Sequence, residues 1–490
     1  MLAAIQNIKS LFLENRNWQL PLIYGAVVIL SILIAVATEL YFLIAIPGFL
    51  LLMYVSIVDF KKIFFLLLLL LPLSTELDLP GGFGTDFPSE PLMLGLTLIY
   101  FIYILQNGKT MSAGFLKHPL TLVFLLHLSW TLVASITSYD LIISIKFMLA
   151  KVWYVTTFYF LAGTVFKKLK DFKTYVWAVF IPLIISIIII NIRHSTLGFE
   201  FEHINRVVHP FYRNHVNYAC LMALFFPMII LSIGWYKNSW LKWVLALGSL
   251  IVLVGINFSY TRAAYVAIVL AAVAYVIVHF RLMKIALIAT LIGAVALVGY
   301  LGHNNNYLEL APDYNKTITH KDFDNLVEAT FKGEDISTME RVYRWVAAFQ
   351  MVKNEPLTGF GPGTFVSFYK SYTLNSFRTY VSNNPEKSGI HSYYLMVMVE
   401  QGIPGLIFFL IFVGFILMKG EEIYHQTNDK DGKLVVMMAI LCIIVINALL
   451  LINDMLETDK VGPFYFIAIA LIVNQDLKNK RFNQSANPQP

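Results

Sequence analysis

Apolar runs of roughly 18 residues, separated by short polar stretches, recur along the whole chain. A run of that length is about what an α-helix needs to cross a bilayer, since each residue advances ~1.5 Å through a core ~30 Å thick. The pattern predicts spans near 19–37, 40–58, 63–75, 91–107, 119–137, 149–166 and 174–192, then 217–235, 240–257, 263–280, 284–302, 393–418, 434–452 and 461–475. The third is short, and 141–151 reads as an amphipathic interfacial helix leading into the sixth. One long polar connection, about 303–391, interrupts the series late. The expected fold is therefore an all-α polytopic membrane protein. It has about 12–14 transmembrane helices and a large, partly helical outer loop between late spans. The expected organisation is a transmembrane bundle over 1–302, the loop over 303–391, further transmembrane helices over 392–476 and a tail over 477–490.

Composition agrees with the pattern. Of 490 residues, 58% are hydrophobic and 13% charged, too little charge to cover a soluble protein of this length. The first apolar run follows a polar stretch containing Lys9 and Arg16 and has no small-residue cleavage site, so it reads as a retained span. Cys220 and Cys442 both fall inside apolar runs, which suggests neither a disulfide nor a cysteine metal site. The net charge of +6 is dispersed between spans rather than forming a stripe, so no nucleic-acid partner is expected.

Charge also predicts sidedness. With a cytoplasmic N-terminus, alternating segments collect twenty of the 36 basic residues, among them Lys61, Lys62, the KKLKDFK cluster of 167–173 and the terminal KNKR. The opposite short segments keep seven: Lys146, Lys151, Arg193, Arg206, Arg213, Arg262 and Lys460. By the positive-inside rule both termini lie in the cytoplasm and 303–391 lies outside. Basic residues kept on the charge-poor side then need a reason. Arg206 and Arg213 stand among His203, His209 and His215, and Arg262 opens a span in SYTRAAY. These histidines and His391 have no HExxH or comparable spacing, so no metal is expected.

Within the long loop, 337–356 has apolar residues at helical spacing, and Arg341 and Arg344 share part of one helix face. They read either as functional cations or as solvent-facing charges balancing Glu340 and Glu355. LTGFGPGTF follows Pro356 as a glycine-rich turn without the order of a nucleotide loop. The aromatics Phe365, Phe368, Tyr369, Tyr372, Phe377, Tyr380, Tyr393 and Tyr394 suit either interfacial anchoring or a saccharide groove. The outward segment 74–92 carries Glu76, Asp78, Asp86 and Glu90 and reads as a structured turn region. In HSYYLMVMVEQGIPGL, Glu400 lies nine residues beyond His391, too far along a continuous helix to orient it. A carboxylate there should face the protein interior and pair with a polar group, and GIPG should bend the helix.

Taken in order, Arg262 in TRAAY, the Glu340–Arg341–Trp345 element, Pro356–Gly359–Gly361, His391 leading HSYYL and an EQGxPGL sequence resemble the bacterial O-antigen ligase and polymerase superfamily. The close resemblance covers roughly 205–415. It implies inverting glycan transfer from an undecaprenyl-diphosphate-linked donor to an acceptor at the periplasmic face of the inner membrane, without metal or other cofactor. It further implies that His391 is the catalytic base and that Arg262 and Arg213 hold the carrier diphosphate. Arg206 competes with Arg213 for that assignment, Arg341 is a further diphosphate candidate, and Glu400 and Tyr393 are supporting residues. Partners are then the lipid-linked donor, lipid A core or another glycan acceptor, and membrane lipids, with the chain expected as a monomer. The residue types suit this chemistry. Arginine stays protonated and grips phosphate oxygens with forked donors, and histidine titrates near neutrality.

Ligation to lipid A core is the leading reading, with polysaccharide polymerase and protein O-glycosylation as alternatives from the same superfamily. A secondary transporter would place its charges near the membrane midplane and divide into related halves. The suspicious charges here gather at one surface, and the late loop breaks any such division.

Overall fold

The structure is a computed structural model that describes residues 19–79, 83–107, 113–311, 335–379, 382–384 and 387–486. Lys9, Arg16 and Tyr380 lie outside the described residues.

Every predicted span coincides with helix. The series opens with α1 (Gln19–Thr38), α2 (Ala45–Val58), α3 (Phe60–Leu70), α4 (Ser89–Asn107), α5 (Pro119–Ile136) and α6 (Leu141–Val155). It continues through α7 (Leu169–Ser195), α8 (Ile204–Val208), α9 (His215–Ser232), α10 (Leu241–Phe258), α11 (Arg262–His279) and α12 (Met283–Gly302). The long late loop contributes α13 (Ile336–Asn354), and the series closes with α14 (Tyr393–Gln426), α15 (Lys430–Leu450) and α16 (Gly462–Ala486). Among the described residues, ten helices are long and apolar enough to cross a membrane. The chain is an all-α multi-pass membrane protein.

Two local features depart from the sequence reading. Helix α6 runs on through a π turn at Thr156–Leu161 into Ala162–Val165, so the stretch expected as an interfacial helix leading into the sixth span forms one long apolar helix with it. The acidic segment 74–92 contains a β-hairpin, β1 (Thr75–Leu79) paired antiparallel with β2 (Phe83–Phe87). Thr85 and the Asp86 amide both donate to the Glu90 carboxylate at the start of α4, which fastens the strand end to the helix.

Helices α9 and α15 form the centre of the bundle: 67% and 78% of their apolar windows are buried, whereas none of that of α12 is. A helix apolar all round can be buried on every side or surrounded by lipid, and hydropathy alone does not separate the two. Packing does. Helix α15 meets α16, α11, α9 and α14, while α12 leaves Leu291, Ile292 and Val295 on the outside, as a lipid-facing helix must.

A second, smaller core sits in the long loop, where Tyr343, Ala347 and Met351 of α13 pack with Phe360, Phe365, Tyr369 and Phe377. Three of the aromatics left open between anchoring and sugar stacking are therefore core residues of the loop. Helix α13 begins at Asp335, whose side chain accepts from the Thr338 amide.

The loop is locked to the bundle through a break in α14. Gly402 has φ +72°, ψ −179°, outside the helical region, and a Cβ there would lie 2.1 Å from the Leu357 carbonyl oxygen. The glycine turn fills that break. The Phe360 and Gly361 amides donate to the carbonyls of Val399 and Glu400, and the Ile403 amide donates to Pro356. The buried Glu400 carboxylate accepts from the amides of Gly363 (2.8 Å) and Phe365 (3.1 Å). Trp130 and Thr131 of α5 donate to the backbone and side chain of Gln401. Glu400 thus meets backbone amides, the polar partner that burial demands.

Candidate active site

The functional candidates converge where α9, α11 and α14 begin and where the 451–461 connection joins α15 to α16. His391 immediately precedes α14 and has φ +56°, a left-handed conformation uncommon outside glycine. The carbonyls of the two residues before it are gripped by α13: Arg344 donates to Gly389 (3.2 Å) and Trp345 to Ile390 (3.1 Å). Two residues beyond it, the Tyr393 amide donates to Asn453 (3.1 Å). His391 is thereby clamped from both sides, which is how a sparsely populated backbone conformation is held.

Asp454 approaches the same turn. A Cβ on Gly389 would lie 1.9 Å from the Asp454 Oδ2 atom, so only glycine leaves room for that carboxylate. Burial pushes the His391 imidazole down to about 4, with the Arg341 and Arg344 guanidiniums acting in the same direction and Asp454 opposing them. His391 is neutral at pH 7 and holds a free lone pair for a proton.

The cations are arranged along α13. Arg344 is buried and pairs with Glu340 (3.4 Å), which also accepts from Thr379 and Ser382. It is therefore not one of a pair of solvent-facing charges. Arg262 opens α11 and meets the buried Asp335 at 3.3 Å, so one carboxylate both caps α13 and receives the arginine of the bundle. Between them stands Arg341. Burial and the neighbouring Arg262 and Arg344 charges lower its pKa, while Asp335 and Asp454 raise it. Its Nε, like that of Arg344, is buried with no acceptor among the described residues. Buried donors rarely go unpartnered, so this one marks a place where an acceptor belongs. Arginine's high starting pKa keeps the group charged despite the shift.

His391, Arg341 and Arg262 are thus brought together. Arg213 and Arg206 are not. Arg213 is exposed and lies 4.0 Å from Glu76 of the hairpin, and Arg206 lies on the exposed face of α8. Among the described residues, no hydrogen bond or ion pair joins either to His391 or Arg341. Of the four histidines, His215 stays beside the arginines: it bonds Asn205 (2.8 Å), and burial, with the Arg341 charge, pushes its imidazole down to about 4, whereas His203 faces Glu200 (3.5 Å). Among the described residues, no three His, Cys, Asp or Glu side chains gather as metal ligands would.

Tyr393 belongs to a buried support beneath the site. Its hydroxyl donates to Glu457 (2.8 Å), which meets Lys151 of α6 at 2.5 Å. A second polar centre lies toward the hairpin. The buried Lys460 ammonium donates to the Leu71 and Ser74 carbonyls and pairs with Asp459. Burial and then Asp459 raise Asp86 there to about 7.

Arg344 is left open by the sequence, and Asp335, Asp454 and Glu457 do not stand out in it. One signal was available for two of them. Asp454, Glu457 and Asp459 crowd into the short connection LINDMLETDK, an acidic density that a bare topological turn does not need.

Residues 247–410 match a family model described as O-Antigen ligase, a region running from α10 through Arg262, the long loop and His391 into α14. No curated protein matches the chain. The family match supports the O-antigen ligase superfamily and, with it, glycan transfer of the ligase or polymerase kind.

Proposed function

We propose that this chain, a member of the O-antigen ligase superfamily, transfers a glycan from undecaprenyl diphosphate to an acceptor hydroxyl at the periplasmic face of the inner membrane. The observation that carries the reading is a neutral His391 within electrostatic reach of Arg341, whose buried Nε has no partner among the described residues, inside the region matched to the family. One group can take a proton, and the other awaits an acceptor such as a phosphate oxygen.

In the proposed reaction the acceptor O–H gives its proton to His391 as its oxygen attacks the anomeric carbon. The bond from that carbon to the diphosphate oxygen breaks, and its electron pair leaves with the carrier diphosphate. Attack opposite the leaving group converts an α-linkage to β, the inverting course the resemblance implies. Arg341 and Arg262 face the charge that grows on the leaving diphosphate. Fixed cations in a partly dry site stabilise such charge without reorganising. Asp454 favours the imidazolium that forms, because it is the neighbouring group that raises the His391 pKa. The exposed Arg213 and Arg206 suit an earlier contact with the incoming carrier at the rim.

Ligation to lipid A core is the preferred acceptor reading, with the polymerase and protein-glycosylating reactions sharing the same donor chemistry. The test is to incubate purified protein with a lipid-linked donor and, separately, with lipid A core, a second lipid-linked repeat or a hydroxyl-bearing protein. Product with lipid A core alone supports ligation, and product with the second repeat alone reassigns the chain as a polymerase. Failure of any glycan to leave the carrier would sink the transferase reading.

A further inference from the structure

A cavity of about 260 Å³ opens at the end of the bundle opposite His391, between the α6–α7 connection, the start of α15 and the last turns of α16. Its two kinds of lining are segregated. Phe115, Phe160, Phe166 and Leu471 form apolar walls, and Lys167, Lys168 and Arg481 stand with Lys478 among the lining residues.

Basic residues at this end of a membrane protein are ordinarily topology signals. Several neighbours behave as such surface charges and carry their own carboxylates: Lys61 meets Asp171 at 2.5 Å, and Lys480 meets Asp476 at 2.7 Å. In the cavity the one acidic lining residue, Asp429, is already occupied by Lys478 at 3.1 Å. Among the described residues, Lys167, Lys168 and Arg481 have no ion-pair partner. Three exposed cations therefore converge on a pocket whose floor is aromatic and aliphatic.

We infer that this cavity binds the headgroup of an anionic phospholipid from the adjoining leaflet. The phosphodiester would lie against Lys167, Lys168 and Arg481, and an acyl chain would leave along Phe160 and Phe166. The volume suits a headgroup rather than a whole lipid. Basic pockets between transmembrane helices recognise anionic headgroups by this combination of charge and apolar wall. The inference is independent of the transfer reaction, since the site lies at the far end of α7, α14 and α16 from His391.

Native mass spectrometry of the full chain in mixed phosphatidylglycerol and phosphatidylcholine micelles tests it. One phosphatidylglycerol should be retained in preference to phosphatidylcholine. Lys167→Gln/Lys168→Gln/Arg481→Gln should reduce that retention at least about tenfold. Thr164→Trp, which fills the cavity without touching a charge, should do the same, while Lys237→Gln/Lys242→Gln/Lys430→Gln should leave it unchanged. Equal retention of the two lipids, full displacement by inorganic phosphate, or undiminished retention in both cavity variants would overturn the proposal.

Discussion

His391 is set apart by its surroundings more than by its identity. Its left-handed backbone, its neutral imidazole and the guanidiniums beside it are properties of the folded site. They lead to a pH prediction. A lowered pKa keeps the base form present as pH falls below 6.5 and loses it only near 4, so kcat/KM should fall on the acid side with a midpoint near 4. Arg341→Gln removes a cation that lowers this pKa, so its acid limb should move upward, toward 6.5, as the rate drops. A pH profile of kcat/KM for both proteins checks this, and an unmoved limb in the variant would separate Arg341 from His391. The sequence offered His391, Arg262 and Arg341 through motif order. It did not offer Asp454, because that residue reaches the site through a gap left by Gly389, 65 positions away.

At the scale of elements, the broken α14 governs how the loop is held. The sequence marked GIPG as a bend and LTGFGPGTF as a tight turn, yet no pattern within either segment says that one fills the other. Their union is made of hydrogen bonds from backbone amides to carbonyls and to the Glu400 carboxylate some forty positions away, which periodicity does not encode. Gly402→Ala forces a side chain onto φ +72° and against the Leu357 carbonyl. The expected cost is at least about 2 kcal/mol, felt first as loosened loop docking. Limited proteolysis should cut the variant faster within 350–380 than the parent chain, and equal cutting rates would detach the loop from this break. The hairpin over 75–87 was missed for a related reason. Its strands are short, acidic and glycine-bounded, and their pairing is supported by Glu90 from the next helix.

For the molecule as a whole, the ten long apolar helices among the described residues all fall on predicted spans, but hydropathy could not sort bundle-centre helices from lipid-facing ones. The strongly apolar stretches of α12 and α15 look alike as sequence, yet 78% of that of α15 is buried and none of that of α12. Sidedness rests on the distribution of lysine and arginine. It is open to direct measurement because both natural cysteines are buried. In intact cells a membrane-impermeant maleimide should label Lys353→Cys in the outer loop and leave Lys170→Cys unlabelled until permeabilisation. The reverse pattern would invert the orientation and remove the periplasmic site. The central claim, that His391 takes the acceptor's proton, is tested most directly by single-turnover release of undecaprenyl diphosphate from a lipid-linked donor, comparing the parent chain with His391→Ala. The folded variant should release it at least about 10²-fold more slowly. A variant within about threefold of the parent rate would contradict it, since loss of a general base costs far more than that.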